Sequence, residues 1–204
     1  ECCGCSACAS ACPKQCIEMK ADSEGFIYPE VSIEQCISCG KCVKVCPIKH
    51  RKEDNSAINV YALKNKNGLT RATSSSGGAF FELASYVINN NGVVFGCAMS
   101  SELVAEHIAV RSLSELAKLK SSKYVQSDVK DTYNQTKELL DDGKIVLYSG
   151  TPCQIAGLKN YLGKDYENLI LVDVLCHGVP SPRLLSDYLV GLEKKYGSDR
   201  QRYQ

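Results

Sequence analysis

Eight cysteines near the start of the chain obey one spacing twice. Cys2, Cys5, Cys8 and Cys12, closed by Pro13, recur as Cys36, Cys39, Cys42 and Cys46, closed by Pro47, each shifted by 34 positions. A duplicated small module is the simplest source of such a repeat. Thirteen cysteines in 204 residues would suggest a disulfide framework if they were spread evenly through a secreted domain, but ten of them fall in the first 46 residues. That crowding serves metal ligation better than disulfides, and thiolate ligation implies a reducing, cytoplasmic setting.

The run C-x2-C-x2-C-x3-C-P is the ligand spacing of bacterial two-cluster ferredoxins. Three closely spaced thiolates wrap one cubane and the fourth crosses to the other. Cys2, Cys5, Cys8 and Cys46 are therefore expected to hold one 4Fe-4S cluster, and Cys36, Cys39, Cys42 and Cys12 the other. Gly4 and Gly40 sit inside the loops, where absent side chains let backbone N–H groups approach the sulfurs. Two structural zinc sites are the competing reading, although zinc is seldom held by this three-thiol run followed by Cys-Pro. Cys3 and Cys16 fall outside the spacing and read as small packed hydrophobes.

The charge balance, 24 Lys+Arg against 23 Asp+Glu, marks no nucleic-acid surface. The longest apolar runs, such as 169–176, are strand-sized and too short to span a membrane. No secretory signal opens the chain; it lacks an initiator Met and stops in a polar tail, which reads as a fragment of a longer protein.

The organisation expected is a ferredoxin-type α+β module over 1–49, a polar linker over 50–57 and an α/β domain with a largely parallel sheet over 58–204. Residues 24–29 suggest a short strand after a turn. In the second part, strands are expected at 58–63, 93–99, 103–110, 144–148 and 169–175. Helices are expected at 78–91, with Gly92 as left-handed cap, at 114–119, and at 129–142 with Asp128 as N-cap and Gly143 as terminator. Two more are expected at 152–162, with Thr151 as N-cap and Pro152 in the first turn, and at 182–195.

Two loop-to-helix junctions could carry chemistry. Thr73-Ser74-Ser75-Ser76-Gly77-Gly78 feeds into a helix and could grip a phosphate, or serve only as Ser-rich capping. Ser149-Gly150-Thr151-Pro152-Cys153 puts a thiol in the first turn of a helix, where the dipole favours thiolate. Cys176-His177-Gly178 ends a strand at the edge where open α/β sheets place ligands. His50 and His107 read as solvated linker or strand positions.

The strings SSSGGAFFELA, SSKYVQSD, YSGTPCQIAGLKNYL and LVDVLCHGVPSP, in that order behind the double cysteine motif, resemble the coenzyme F420 hydrogenase/dehydrogenase beta subunits. The resemblance implies an iron-sulfur flavoprotein oxidoreductase. FAD would bind in the second domain, exchange hydride with coenzyme F420 or an equivalent small carrier, and pass single electrons through the clusters. It makes Ser75, Ser76, Gly77, Gly78, Lys123 and Thr151 candidates for the flavin surface, though Lys123 reads equally as a solvated charge. It associates Cys153 and Cys176 with a third 4Fe-4S cluster, whose C-terminal C-x2-C partner segment is absent here. It also implies a redox partner protein or a larger complex. Some family members are associated with polysaccharide biosynthesis, so the hydride partner stays open. The alternatives are a non-catalytic electron relay within a larger complex and a thiol-disulfide reductase using Cys153 with Cys176.

Overall fold

The computed structural model describes residues 2–50 and 59–197. The cysteine repeat is also a repeat of backbone conformation. The first run enters a one-turn helix α1 (Ala7–Ser10) through Ser6, and the second enters α2 (Lys41–Lys44) through Gly40, 34 residues on. Ser6 and Gly40 are both left-handed, with φ 63° and 71°, as are Gly4 and Ser38, with φ 66° and 54°. Glycine and serine have traded places between the copies while the chain path stayed the same. Between the runs, β1 (Ile17–Ala21) and β2 (Ile27–Val31) form an antiparallel hairpin with Met19 opposite Pro29. Its turn is tied by Asp22, whose carboxylate accepts from the N–H groups of Glu24 and Phe26.

Residues 51–58, most of the expected linker, lie outside the described residues, and so does the start of the strand expected at 58–63. The remainder, 59–63, is irregular chain, and Val60, Tyr61 and Leu63 are exposed. An apolar run becomes a strand only against a neighbour, and here the extended chain instead passes Gly77, where a Cβ would collide with the Leu63 carbonyl oxygen.

The second part opens with α3 (Gly68–Ala72), capped by the Asn67 side chain, and α4 (Ala79–Asn89). There follow β3 (Val93–Met99), β4 (Ala105–Val110), a short 3-10 turn at Glu115–Leu119, α5 (Thr132–Asp141), β5 (Val146–Gly150), α6 (Pro152–Leu162), β6 (Leu169–Asp173) and α7 (Pro182–Tyr196). The sheet order is β4-β3-β5-β6, with β3, β5 and β6 parallel and β4 antiparallel at one edge. Alternation sorts its residues. Val93, Phe95, Val146 and Tyr148 face α5 and α6, while Val94 and Leu147 face α4 and the 3-10 turn.

Two local expectations need correcting. The left-handed residue after α4 is Asn91 (φ 58°). Gly92 is needed instead for close approach, because a Cβ there would meet the Ile145 carbonyl oxygen and Val87. Helix α5 starts at Thr132, since Asp128 is engaged in a turn through Lys130 N–H and pairs its backbone with β4.

The cysteine module is not a separate bead. Cys5 and Ala7 are buried in the same apolar cluster as Phe95, Tyr133, Tyr148 and Leu158. Its hairpin is fastened by Gln126, which accepts from Ile27 N–H at 2.7 Å and donates to Ile27 C=O at 3.0 Å. At the other end, Ser181 Oγ donates to Glu24 C=O and Arg183 to Ser23 C=O.

Candidate functional site

Cys2, Cys5, Cys8 and Cys46 line one pocket, closed by Met19, Pro29 and Ile48 and bearing no charged side chain. Cys12, Cys36, Cys39 and Cys42 line a second. Each set draws three thiols from one repeat and the fourth from the other, because each run ends in a helical turn that points its last cysteine across. A backbone N–H donates to a sulfur at the same place in both copies, Gly4 N to Cys2 Sγ and Ser38 N to Cys36 Sγ, each 3.4 Å. Such donors stabilise the charge that accumulates on cluster thiolates. Four thiols, N–H donors and, in the first pocket, an uncharged lining fit 4Fe-4S groups. Among the described residues no group of three or more His, Cys, Asp or Glu is gathered as a single-ion site would gather them.

The two pockets differ in setting. Cys5 is buried, and its sulfur lies against α6. Around the second pocket Cys36 and Cys39 are exposed, and so is the whole stretch 31–41. Cys16, expected as a small packed hydrophobe, lines that second pocket with its sulfur 3.4 Å from Cys12.

Helix α6 links the cysteine module to the sheet edge. Thr151 and Gln154 form a reciprocal capping box, and Pro152 occupies the first turn. Cys153 then meets the thiol of Cys3 and sits 3.1 Å from Thr151 Oγ1. The helix end does not favour thiolate here. The Cys3 thiol, followed by burial, drives the Cys153 pKa well above its usual value, and these neighbours outweigh the dipole. The Cys3 pKa is raised to about 11 in a balance between Cys153, which lowers it, and Cys5 with burial, which raise it. Cys176 lies elsewhere, exposed on the loop after β6 with its sulfur accepting from Gly178 N–H.

The carboxyl ends of β3, β5 and β6 form one edge, the usual ligand position in an open α/β sheet. His107, on β4, is a strand residue as expected but not a solvated one. It is 2% exposed and stacks on Tyr148 at 5.6 Å. Its ring nitrogens face Ser149 C=O at 3.1 Å and Ser127 Oγ at 3.3 Å. Gln154 Nε2 donates to the same Ser127 hydroxyl, which joins the buried histidine to the cap of α6. Burial holds the His107 pKa down to about 4, against a smaller opposing effect from the Ser149 carbonyl.

Lys123 is half-buried. Its ammonium donates to Lys118 C=O (3.0 Å) and Lys120 C=O (2.7 Å), and burial lowers its pKa while the nearby Cys97 opposes that shift. The 118–123 loop touches the Ser-rich junction through Ser122 N–H to Ser75 Oγ and Lys120 to Thr73 Oγ1. Ser75, Ser76, Gly77 and Gly78 therefore adjoin the Lys123 loop, while Thr151 lies further along the edge. No side chain caps α4, so serine capping does not explain the junction. Sequence reasoning missed Cys97 and Gln126. No spacing marks either one, and only their neighbours in space give them a part.

Residues 1–50 match the 4Fe-4S dicluster domain family. The chain thus joins a module of the 4Fe-4S dicluster type to a mixed α/β domain. Residues 143–201 match the family described as the C terminus of the coenzyme F420 hydrogenase/dehydrogenase beta subunit. The F subunit of the F(420)H(2) dehydrogenase of Methanosarcina mazei is 21% identical over 185 residues, covering 86% of this chain and 53% of the relative. The I subunit of the NADH-quinone oxidoreductase of Pelobacter propionicus is 38% identical over 55 residues, 23% of this chain and 30% of the relative. A chain of the F420-reducing [NiFe] hydrogenase complex from Methanosarcina barkeri shares the fold, with TM-score 0.52 and 14% identity over 67% of this chain and 49% of that one. The chain spans about half the length of the dehydrogenase relative and of the hydrogenase chain. No helix among the described residues is long and apolar enough to cross a membrane.

Proposed function

We propose that the chain passes electrons between a hydride carrier and a one-electron partner. In this reading the eight repeat cysteines hold two 4Fe-4S clusters and the sheet edge holds FAD. The observation that carries it is the course of α6. Its cap, Thr151, stands at the sheet edge, and six residues later, about 9 Å along the axis, Gly157 faces Cys5, whose sulfur lies 3.0 Å from where a Cβ on that glycine would stand. A redox group at the edge would therefore lie close to the first cluster set.

The edge fits a dinucleotide in one respect. The first N–H groups of α4 lack a side-chain cap, and Lys120 and Lys123 close the loop beside them, which suits a pyrophosphate. Ser75, Ser76, Gly77, Gly78, Lys123 and Thr151 would hold it. When bound, a flavin supplies the exchange between hydride and single electrons that no side chain can perform. Coenzyme F420 is the carrier that the related dehydrogenase and hydrogenase suggest by their names. Cys153, set against Cys3, would stand at the wall of the first cluster, and a third cluster would need Cys176 to come from its exposed loop.

The test is anaerobic purification with iron, sulfide and flavin analysis, followed by reduction with reduced coenzyme F420 and with NAD(P)H. The reading expects about eight irons per chain, FAD released on denaturation, and reduction by one of the two carriers. Clusters without flavin would leave the chain an electron relay and no more. Zinc in place of iron would end the reading.

A further inference from the structure

The two cysteine sets face different surroundings. The first set is walled in by α6 and the sheet core through Cys5. The second is rimmed by apolar side chains held out in solvent, with Ile33 84%, Ile37 56% and Val43 53% exposed. Ile37 and Val43 line the second pocket itself, as do Lys14 and Lys41. Lys44 follows three residues along α2. Nearby, Lys20 is neutralised by Glu18 and Glu30 at 3.3 and 3.1 Å. Among the described residues Lys14, Lys41 and Lys44 have no ion pair, and Glu34 is the one acidic side chain within 31–44.

We infer that this face docks a small acidic one-electron carrier protein over the second cluster set. An apolar centre inside a charged rim is the usual anatomy of a protein contact. Three uncompensated ammonium groups select an acidic partner and speed the encounter. A brief electron-transfer contact also needs little area. One electron crosses per encounter and no bond forms or breaks. A cluster held by Cys12, Cys36, Cys39 and Cys42 would give up that electron, and the carrier would be reduced by it.

The inference rests on the relay reading, and the experiment separates the two. Cluster-loaded protein, reduced with dithionite, is mixed in stopped flow with a purified acidic ferredoxin, and separately with basic cytochrome c, across a salt series. The reduced protein and ferredoxin are also joined by carbodiimide and the linked peptides mapped. The expected result is a ferredoxin rate that falls with salt and linkage at Lys14, Lys41 or Lys44. The variant Lys14→Glu/Lys41→Glu/Lys44→Glu, with unchanged iron content, should lose about tenfold in that rate at low salt and gain with cytochrome c. Polar substitution of the apolar centre, Ile33→Ser with Val43→Ser, should weaken ferredoxin linkage without altering the salt slope. An unchanged ferredoxin rate in the charge-reversed protein at full iron content, or linkage mapped to other lysines, overturns the docking face. So does linkage of these lysines to a second copy of the chain. A preparation without iron defeats the relay reading itself.

Discussion

The sulfur of Cys5 lies 3.0 Å from the point where a Cβ on Gly157 would stand, and the Ala7 methyl lies 3.3 Å from it. That contact is where the duplicated cysteine module meets the helix leading from the sheet edge. It also explains a glycine in the middle of α6, a position where alanine would be favoured by roughly 1 kcal/mol. Gly157→Ala should therefore lose more in packing than it gains in helix propensity, a net cost of about 1–2 kcal/mol. Gly157→Val should prevent loading of the first cluster while sparing the second, so that iron falls from about eight to about four per chain. Iron analysis beside a denaturation curve checks both.

Gln126 makes the two-way bond to Ile27 that fastens the hairpin, and its own N–H donates to Pro180 C=O at 3.0 Å. Gln126→Ala leaves both Ile27 backbone groups without their partner, at a cost of about 1–3 kcal/mol. Gln126→Glu can still accept from Ile27 N–H but its carboxylate cannot donate to the carbonyl, so it should recover only part of that loss. Thermal denaturation of the three proteins under nitrogen measures the order: native, then glutamate, then alanine.

His107 gives a pH dependence with a definite sign. Its pKa falls from 6.5 to about 4 on folding because burial disfavours the charged ring. The unfolded chain therefore binds the extra proton at a higher pH than the folded one. The stabilisation is complete above about pH 6.5 and is lost as the pH falls from there towards 4. Between pH 8 and pH 5.5 the native protein should lose about 1.4 kcal/mol through this residue. His107→Gln keeps polar groups near Ser127 and Ser149 and should remove that slope. Denaturant midpoints at the two pH values decide it, and an equal slope in the variant would count against the assignment.

Some of this was open to reading in advance, and the reasons are local. Helix α6 was legible to its ends because Thr151, Pro152, Gln154 and Gly163 each carry a position-specific signal within a few residues. The gathering of each four-cysteine set into one pocket was legible because the repeat encodes both the turn and the crossing. Asp128 misled because an aspartate before a helix-like run caps equally well in a turn, and only its pairing with β4 decides between them. The strand expected at 58–63 failed over its described part, 59–63, because an apolar run says nothing about whether a neighbouring edge is free. β1 was missed because Glu18 and Lys20 break up its apolar content. The meeting of Cys3 with Cys153, like that of Cys97 with Lys123, joins residues that no local pattern relates.

The crossing of the fourth thiol is the central claim, and cysteine-to-alanine variants examined by EPR after anaerobic reduction test it. Each variant should lose one cluster signal and about half its iron. Cys46→Ala should erase the same signal as Cys5→Ala, and Cys12→Ala the same signal as Cys39→Ala. Pairing by repeat, with Cys46→Ala matching Cys39→Ala, or full iron retention in any of the four variants, would contradict the account.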